Sequence, residues 1–167
     1  MNQTTATSAL NNPRNVRAWY MYDWANSVYS LVISTAIFPI YFKDVTTVNG
    51  SDQVQFFGFT VQNSTLLSYA LSFSFLIVAA MLPLLSGAAD YTGKKKSFMK
   101  FFVVLGSLSC MGLFFFDDVS NLTWGVACAV LASVGYSGSL VFYDAFLPEI
   151  VTADRYDATS ARGYLIL

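Results

Sequence analysis

Gly87-Ala88-Ala89-Asp90-Tyr91-Thr92-Gly93-Lys94-Lys95-Lys96 separates two long apolar runs in this chain. The pattern is G-x-x-x-D-x-x-G-K-K: a carboxylate, a glycine turn and a cationic cluster, here expected to form a loop between two membrane spans. Upstream, Gln62 to Ser86 carries no charge, and downstream Ser97 to Phe116 carries only Lys100. Both runs reach the roughly 20 residues a helix needs to cross ~30 Å of hydrocarbon. Lys100 lies one turn from the interface and can snorkel back to it.

Two further runs have the same character. Trp24 to Phe42 is uncharged, with a helix expected to begin near Arg17, and Leu122 to Tyr143 is uncharged as well. Of the 167 residues, 55% are hydrophobic and only 11% charged, against about 25% charged in a soluble domain. A soluble core could not hide so much apolar surface, so the solvent is expected to be lipid. The net charge of −1 gives no basic footprint for nucleic acid. Histidine is absent, which removes the commonest metal ligand and proton shuttle, and no metal site or cofactor is expected. Cys110 and Cys128 sit within apolar stretches and are read as small packing residues.

The basic residues choose an orientation. Arg14 and Arg17 precede the first span, Lys94, Lys95, Lys96 and Lys100 flank the second-to-third connection, and Arg155 and Arg162 follow the fourth. The other two connections hold Lys43 and the Asp117-Asp118 pair. This alternation puts the N-terminus and residues 87–96 in the cytoplasm, with a bacterial inner membrane as the expected location. Residues 1–15 are polar and expected to be a disordered tail. The first span is too long for the apolar region of a secretory signal. Lys43–Phe59 is expected to be an external loop with a turn at Asn49-Gly50, and Asn49 and Asn63 fit the glycosylation pattern. The expected helices cover about 17–42, 62–86, 97–116, 121–147 and 158–167. The last has only ten residues, ~15 Å at helical rise, too short to cross. The chain is therefore read as an N-terminal fragment of a longer protein, with residues 16–167 an incomplete six-helix half.

Ionisable groups inside spans cost about 2.5–3.5 kcal/mol on insertion scales, so each needs a reason. Asp23, Ser27, Ser30 and Ser34 recur at i, i+4, i+7 and i+11 on one helical face, with Asn26 beside them. A polar stripe of this kind lines a water-filled cavity or packs against another helix. The fourth span repeats the theme with Ser133, Tyr136, Ser137 and Asp144, while Gly135 and Gly138 thin it for close approach by a neighbour. Because these two spans run in opposite senses, Asp23 and Asp144 fall on the same side. They could hold a proton or cation, or pair with Arg17, Arg155 or Arg162.

The 87–96 segment resembles the signature between the second and third helices of the major facilitator superfamily. Gly93 suits a tight turn, Asp90 can face a helix N-terminus, and the lysines can bind carboxylates or anionic headgroups. Trp19-Tyr-Met-Tyr-Asp23-Trp-Ala-Asn-Ser27, Phe38-Pro-Ile-Tyr-Phe42, Phe142-Tyr-Asp-Ala-Phe-Leu-Pro-Glu-Ile150 and Ser160-Ala-Arg-Gly-Tyr164 are similar to the Atg22-like branch, also called the UMF1 family. The resemblance covers roughly residues 16–167. It implies an all-α membrane protein: four complete transmembrane helices and the start of a fifth, belonging to a twelve-helix fold whose two halves alternate access to a central cavity. Helices one and four line that cavity in the superfamily, which makes Asp23, Asn26, Ser27, Ser30, Ser34, Tyr136, Ser137 and Asp144 candidate substrate or coupling residues. Gly87, Asp90, Gly93, Lys94, Lys95 and Glu149 are the candidate gating group, latching the halves together. Tyr91 stands where the superfamily usually has a basic residue, so a pairing made by that residue is missing here.

The function expected is secondary active transport of small solutes, with amino acids as a candidate class because fungal members are linked to vacuolar amino-acid efflux. The expected partners are the solute, a proton or cation, the lipid bilayer and the C-terminal half of the same protein. The rival is a small oligomeric four-helix membrane protein, either a multidrug exporter or a scaffold. An intramembrane enzyme finds no support, because no nucleophile elbow or metal-ligand spacing is present.

Overall fold

The computed structural model describes residues 10–165, apart from the side chains of residues 88, 90 and 162–165. It is helical almost throughout. Pro13–Thr46, Asn63–Gly87, Lys95–Phe115 and Val119–Ile150 are each long and apolar enough to cross a membrane. In lipid a helix satisfies its backbone polar groups internally, which is why chains of this composition adopt it.

The first span has three parts: α1 (Pro13–Tyr29), a π-helical stretch at Ser30–Ala36, and α2 (Ile37–Thr46). Its start lies inside the segment expected to be a polar tail. Asn12 caps it, its Oδ1 accepting from the Arg14 amide at 2.9 Å, and Pro13 occupies the first turn, where a missing N–H does no harm. The π-helical stretch was not expected from the sequence. Pro39 supplies the physical reason, since it cannot donate to the preceding turn and its ring crowds the carbonyl four residues back. Just upstream, the Ile37 amide donates to Val32 O and the Thr35 hydroxyl reaches Ser30 O at 2.9 Å, both five residues back.

The connection after α2 is a short hairpin rather than a plain loop. Strands β1 (Gln53–Phe56) and β2 (Phe59–Gln62) pair antiparallel, with Phe56 opposite Phe59. Asn49-Gly50 does form a turn: both residues have positive φ, and Val48 and Ser51 bridge across it. Asn63 is buried and donates through Nδ2 to Lys43 O and Thr47 Oγ1, so its role here is to close the hairpin base.

Helix α3 runs Asn63–Thr92, α4 covers Lys95–Gly112, and α5 covers Leu122–Asp144. This corrects the expected ten-residue loop. Residues 87–92 are the last turns of α3, and the chain reverses at Gly93 (φ +63°) and Lys94 alone. Glycine in the left-handed region is the ordinary way to end a helix. A one-turn helix α6 (Leu147–Ile150) and α7 (Tyr156–Leu165) follow; residues 1–9 and 166–167 of the expected tail and fifth span lie outside the described residues.

Helix α5 is the centre of the bundle, with 13 of its 23 residues buried. Gly106 and Gly135 let α4 and α5 touch backbone to backbone: a Cβ on Gly135 would come within 2.5 Å of the Gly106 backbone. Gly138 sits directly under the Phe102 ring. On the other flank, the Ser74 hydroxyl of α3 donates to Ser133 Oγ of α5 at 2.7 Å, both buried. Away from the basic end, Phe38, Phe42, Leu66, Leu113, Phe116 and Val126 close a core in which Phe42 and Phe116 are fully buried. The Tyr41 hydroxyl donates to Phe116 O at 2.5 Å. The outer faces carry Leu31, Leu76, Leu84 and Phe114, all more than 60% exposed, as lipid-facing helices should.

Alanine substitution at the two facing glycines should therefore act unequally. Gly135→Ala should lower the thermal stability of the purified protein by about 1–3 kcal/mol, the usual range for overpacking. Gly106→Ala, whose Cβ meets neighbours at 3.5 Å, should be within about 1 kcal/mol of wild type; differential scanning fluorimetry in detergent reads the difference.

Candidate functional site

Two tyrosine stacks bring the first and fourth spans together. Trp19 lies flat on Tyr143, ring centroids 4.5 Å apart, and Tyr22 covers the same ring at 5.0 Å. Two turns further along, Tyr29 stacks on Tyr136 at 4.4 Å. Trp19 Nε1 also donates to Tyr143 O at 3.3 Å. At helical spacing, Trp19, Tyr22 and Tyr29 fall on one side of α1, and Tyr136 and Tyr143 fall one above the other on α5. Offset stacks of this kind are worth about 0.5–1.5 kcal/mol beyond their area. Trp19 and Tyr22 entered the sequence reading only within a family motif and Tyr29 not at all, although the spacing of these aromatic residues was visible there.

Between these stacks lies a cavity of about 630 Å3, lined from α1 by Asp23, Asn26, Ser27 and Ser30, from α5 by Tyr136 and Asp144, and from α7 by Ser160. Six of the eight candidate cavity residues thus meet around one space. Asp23 is half-buried and Asp144 more open, and both line the same space. Among the described residues neither makes an ion pair: the pairs present are Lys95–Glu149 and Arg155–Asp154. The side chain of Arg162, one of the expected partners, lies outside the described residues.

Ser34 and Ser137 do not join this cavity. The π-helical stretch begins at Ser30, and its wider turn carries Ser34 off the face set by Asp23 and Ser27, towards Tyr29. Ser137 lies one residue past Tyr136, ~100° round the helix. Ser133 likewise turns to Ser74 and serves packing.

A second cavity, of about 500 Å3, opens between α1, α4 and α5 and shares Asn26 and Tyr136 with the first. Ser107 and Cys110 of α4 contribute to it, a helix the sequence reading had left outside the site. Cys110 and Cys128 are both free thiols.

At the basic end, the Lys95 ammonium donates to Glu149 Oε1 at 2.9 Å, joining the start of α4 to α6. Gly87 lies within α3, Gly93 forms the turn, and Lys94 caps α4 while exposed. The Asp90 side chain lies outside the described residues. The same end is tied by Asn11, whose amide donates to Ile150 O at 2.7 Å and whose Oδ1 accepts from the Thr152 amide at 3.2 Å. Beyond the span, Asp154 is held below the usual carboxylate range, chiefly by a hydrogen bond from the Thr152 hydroxyl. Since the Lys95 and Glu149 side chains are 24% and 49% exposed, their pairing should contribute only about 0.2–1 kcal/mol. A double-mutant cycle on Lys95→Ala and Glu149→Ala, read by thermal unfolding, should return a coupling in that range.

Comparison with known proteins gives consistent relatives. Residues 11–163 match the family model described as vacuole effluxer Atg22 like. An uncharacterized MFS-type transporter, YxiO of Bacillus subtilis, is 38% identical over 88% of this chain and 32% of its own length. Autophagy-related protein 22 of Coccidioides immitis is 24% identical over 88% of this chain and 31% of its own. The same-named protein of Chaetomium globosum is 26% identical over 84% and 24%. The chain thus spans about a third or less of the length of the curated relatives it matches. No solved structure matches it.

Proposed function

The chain belongs to the Atg22-like family, and on that footing we propose that it forms the first part of a secondary active transporter moving small solutes by alternating access. The observation that carries this is the shared cavity: two carboxylates, an amide, two serines and a tyrosine drawn from two antiparallel spans around about 630 Å3. Carboxylates within an apolar bundle are expensive and mark substrate or ion pathways. Cargo sites in transporters of this kind lie between spans of opposing direction.

Asp23 is the coupling residue in this reading. It takes up a proton or cation from one side of the membrane and gives it up on the other, and Asp144 sets the field in which it does so. Asn26, Ser27, Ser30 and Tyr136 hold the cargo, for which amino acids are one class to test. Lys95 and Glu149 belong to a cytoplasmic latch with Gly93, Lys94 and Asp90. A half-exposed pair is weak, and a latch that opens in every cycle needs to be weak. In this reading the membrane is a bacterial inner membrane; the N-terminus and the Gly93 turn lie in the cytoplasm, because Arg14, Arg17, Lys94–Lys96 and Arg155 all gather at one end. The rest of the cavity wall comes from the further length that the relatives carry.

Two measurements test this. In proteoliposomes of the full-length protein, a proton gradient should drive uptake from a radiolabelled amino-acid mixture, and Asp23→Asn should reduce it at least about tenfold, the loss of one charge-assisted contact. Uptake unchanged by Asp23→Asn removes the coupling assignment. For orientation, with Cys110 and Cys128 replaced by Ala, Ser120→Cys should react with a membrane-impermeant maleimide on intact cells, and Lys96→Cys should react only after the cells are opened.

A further inference from the structure

The Gln53–Gln62 hairpin has two faces of opposite character. Residues paired across it share a face, so Val54, Phe56, Phe59 and Val61 lie on one side and Gln53, Gln55, Thr60 and Gln62 on the other. The apolar side is the one turned to the helices. Val54 is buried with Phe42, Leu66 and Leu67, and Phe56 and Val61 pack against that group. Phe59 shares this side but is 73% exposed, and Phe57 at the turn is 79% exposed. The apolar face thus runs past the edge of the bundle, towards whatever surrounds the helices.

Phe57 is unfavourable in a second way. With Gly58 it forms the two-residue loop between Phe56 and Phe59, and both have positive φ, 49° and 85°. Turns of this kind favour asparagine, aspartate or glycine at the first position, where a bulky side chain is an outlier. Among the described residues, the ring contact Phe57 makes is an edge-on one with Phe56. A large ring held on a strained backbone and left bare marks a contact beyond the hairpin itself.

The place of the hairpin in the fold identifies that contact. Asn63 starts α3 directly after β2, and its Nδ2 donates to Lys43 O and Thr47 Oγ1 at the end of α2, so the hairpin base is clamped to the ends of two spans. Four residues per strand reach only ~13 Å from that base. No residue from Gln53 to Ala89 is charged. At the same end the spans leave Tyr41, Phe114, Phe115 and Trp124 exposed, the kind of aromatic belt that marks a membrane–water interface. We propose that the hairpin is a lipid anchor. The Phe57 and Phe59 rings sit at the headgroup–acyl boundary of the leaflet away from the basic end, and the glutamine face is turned to headgroups and water. It is an interfacial amphipathic element built from strands. The backbone edges stay in the polar zone, since unpaired strand edges do not enter hydrocarbon; the rings alone go deeper. The proposal rests on the four spans and not on the transport reading.

Nitroxide accessibility in proteoliposomes of the full-length protein tests this. Phe57→Cys, Phe59→Cys and Gln55→Cys are labelled singly in a background whose native cysteines are alanine. Oxygen concentrates in the acyl region and a nickel chelate stays in water, so power-saturation EPR separates the two environments. Labels at 57 and 59 should collide more with oxygen than with the nickel chelate, and the label at 55 should show the reverse. Nickel collisions prevailing at 57 and 59 put the tip in water and overturn the proposal. Low collision rates with both reagents there overturn it too, because the rings then lie beneath the further length of the protein. Thermal melts confirm that each labelled variant is folded, and positions 57 and 59 are read independently, so loss of one variant leaves the other to decide.

Discussion

Everything in this bundle is arranged around the contact between Gly106 and Gly135. With lipid as solvent there is little hydrophobic drive to bring helices together, and close backbone packing takes over that role. At this contact α4 and α5 meet with no side chain between them, and the Phe102 ring fills the space beside Gly138. Helix α5 is thereby fixed in rotation as well as position. Once its phase is set, Ser133 must face α3, and Tyr136, Tyr143 and Asp144 must face α1. The cavity follows from packing two helices away.

The first span is held quite differently along its length. Its second half, α2, buries Phe38, Phe42 and Thr46 in the core away from the basic end, whereas α1 buries no residue fully. What attaches α1 is the tyrosine ladder, the Trp19 hydrogen bond and the Asn11 clamp. The π-helical stretch lies between the anchored and the loosely held halves, and such stretches recur at functional sites. A span built this way keeps its α2 end seated while its carboxylate-bearing end is lined by polar and aromatic groups.

Much of this was legible beforehand, for physical reasons that can be named. The four spans follow from apolar length, and the placing of Asp23, Asn26, Ser27 and Ser30 with Tyr136 and Asp144 follows from helical period and the opposed sense of two spans. The family follows from short motifs spread along the chain. What was missed depended on terms that periodicity does not carry. Ser34 left the stripe because Pro39 widened the turn ahead of it. Residues 87–92 were taken for loop because glycine and aspartate are poor helix formers, yet α3 continues through them until Gly93 supplies the left-handed turn. The Gln53–Gln62 hairpin was hidden by its shortness, and Ser107 and Cys110 entered the second cavity only because Gly106 draws α4 close.

The central claim is that the first and fourth spans close around one space that holds both carboxylates. Cysteine cross-linking in native membranes tests it most directly, with Asp23→Cys paired with Asp144→Cys in a background where Cys110 and Cys128 are alanine. A short flexible bismaleimide should join peptides containing positions 23 and 144 as efficiently as it joins a Lys95→Cys and Glu149→Cys pair, whose native side chains meet at 2.9 Å and are partly exposed. Asp23→Cys with Ser120→Cys, at opposite ends of the bundle, should give no joined product. If the 95–149 pair is joined and the 23–144 pair is not, the two carboxylates do not share a cavity, and the account of the site is wrong.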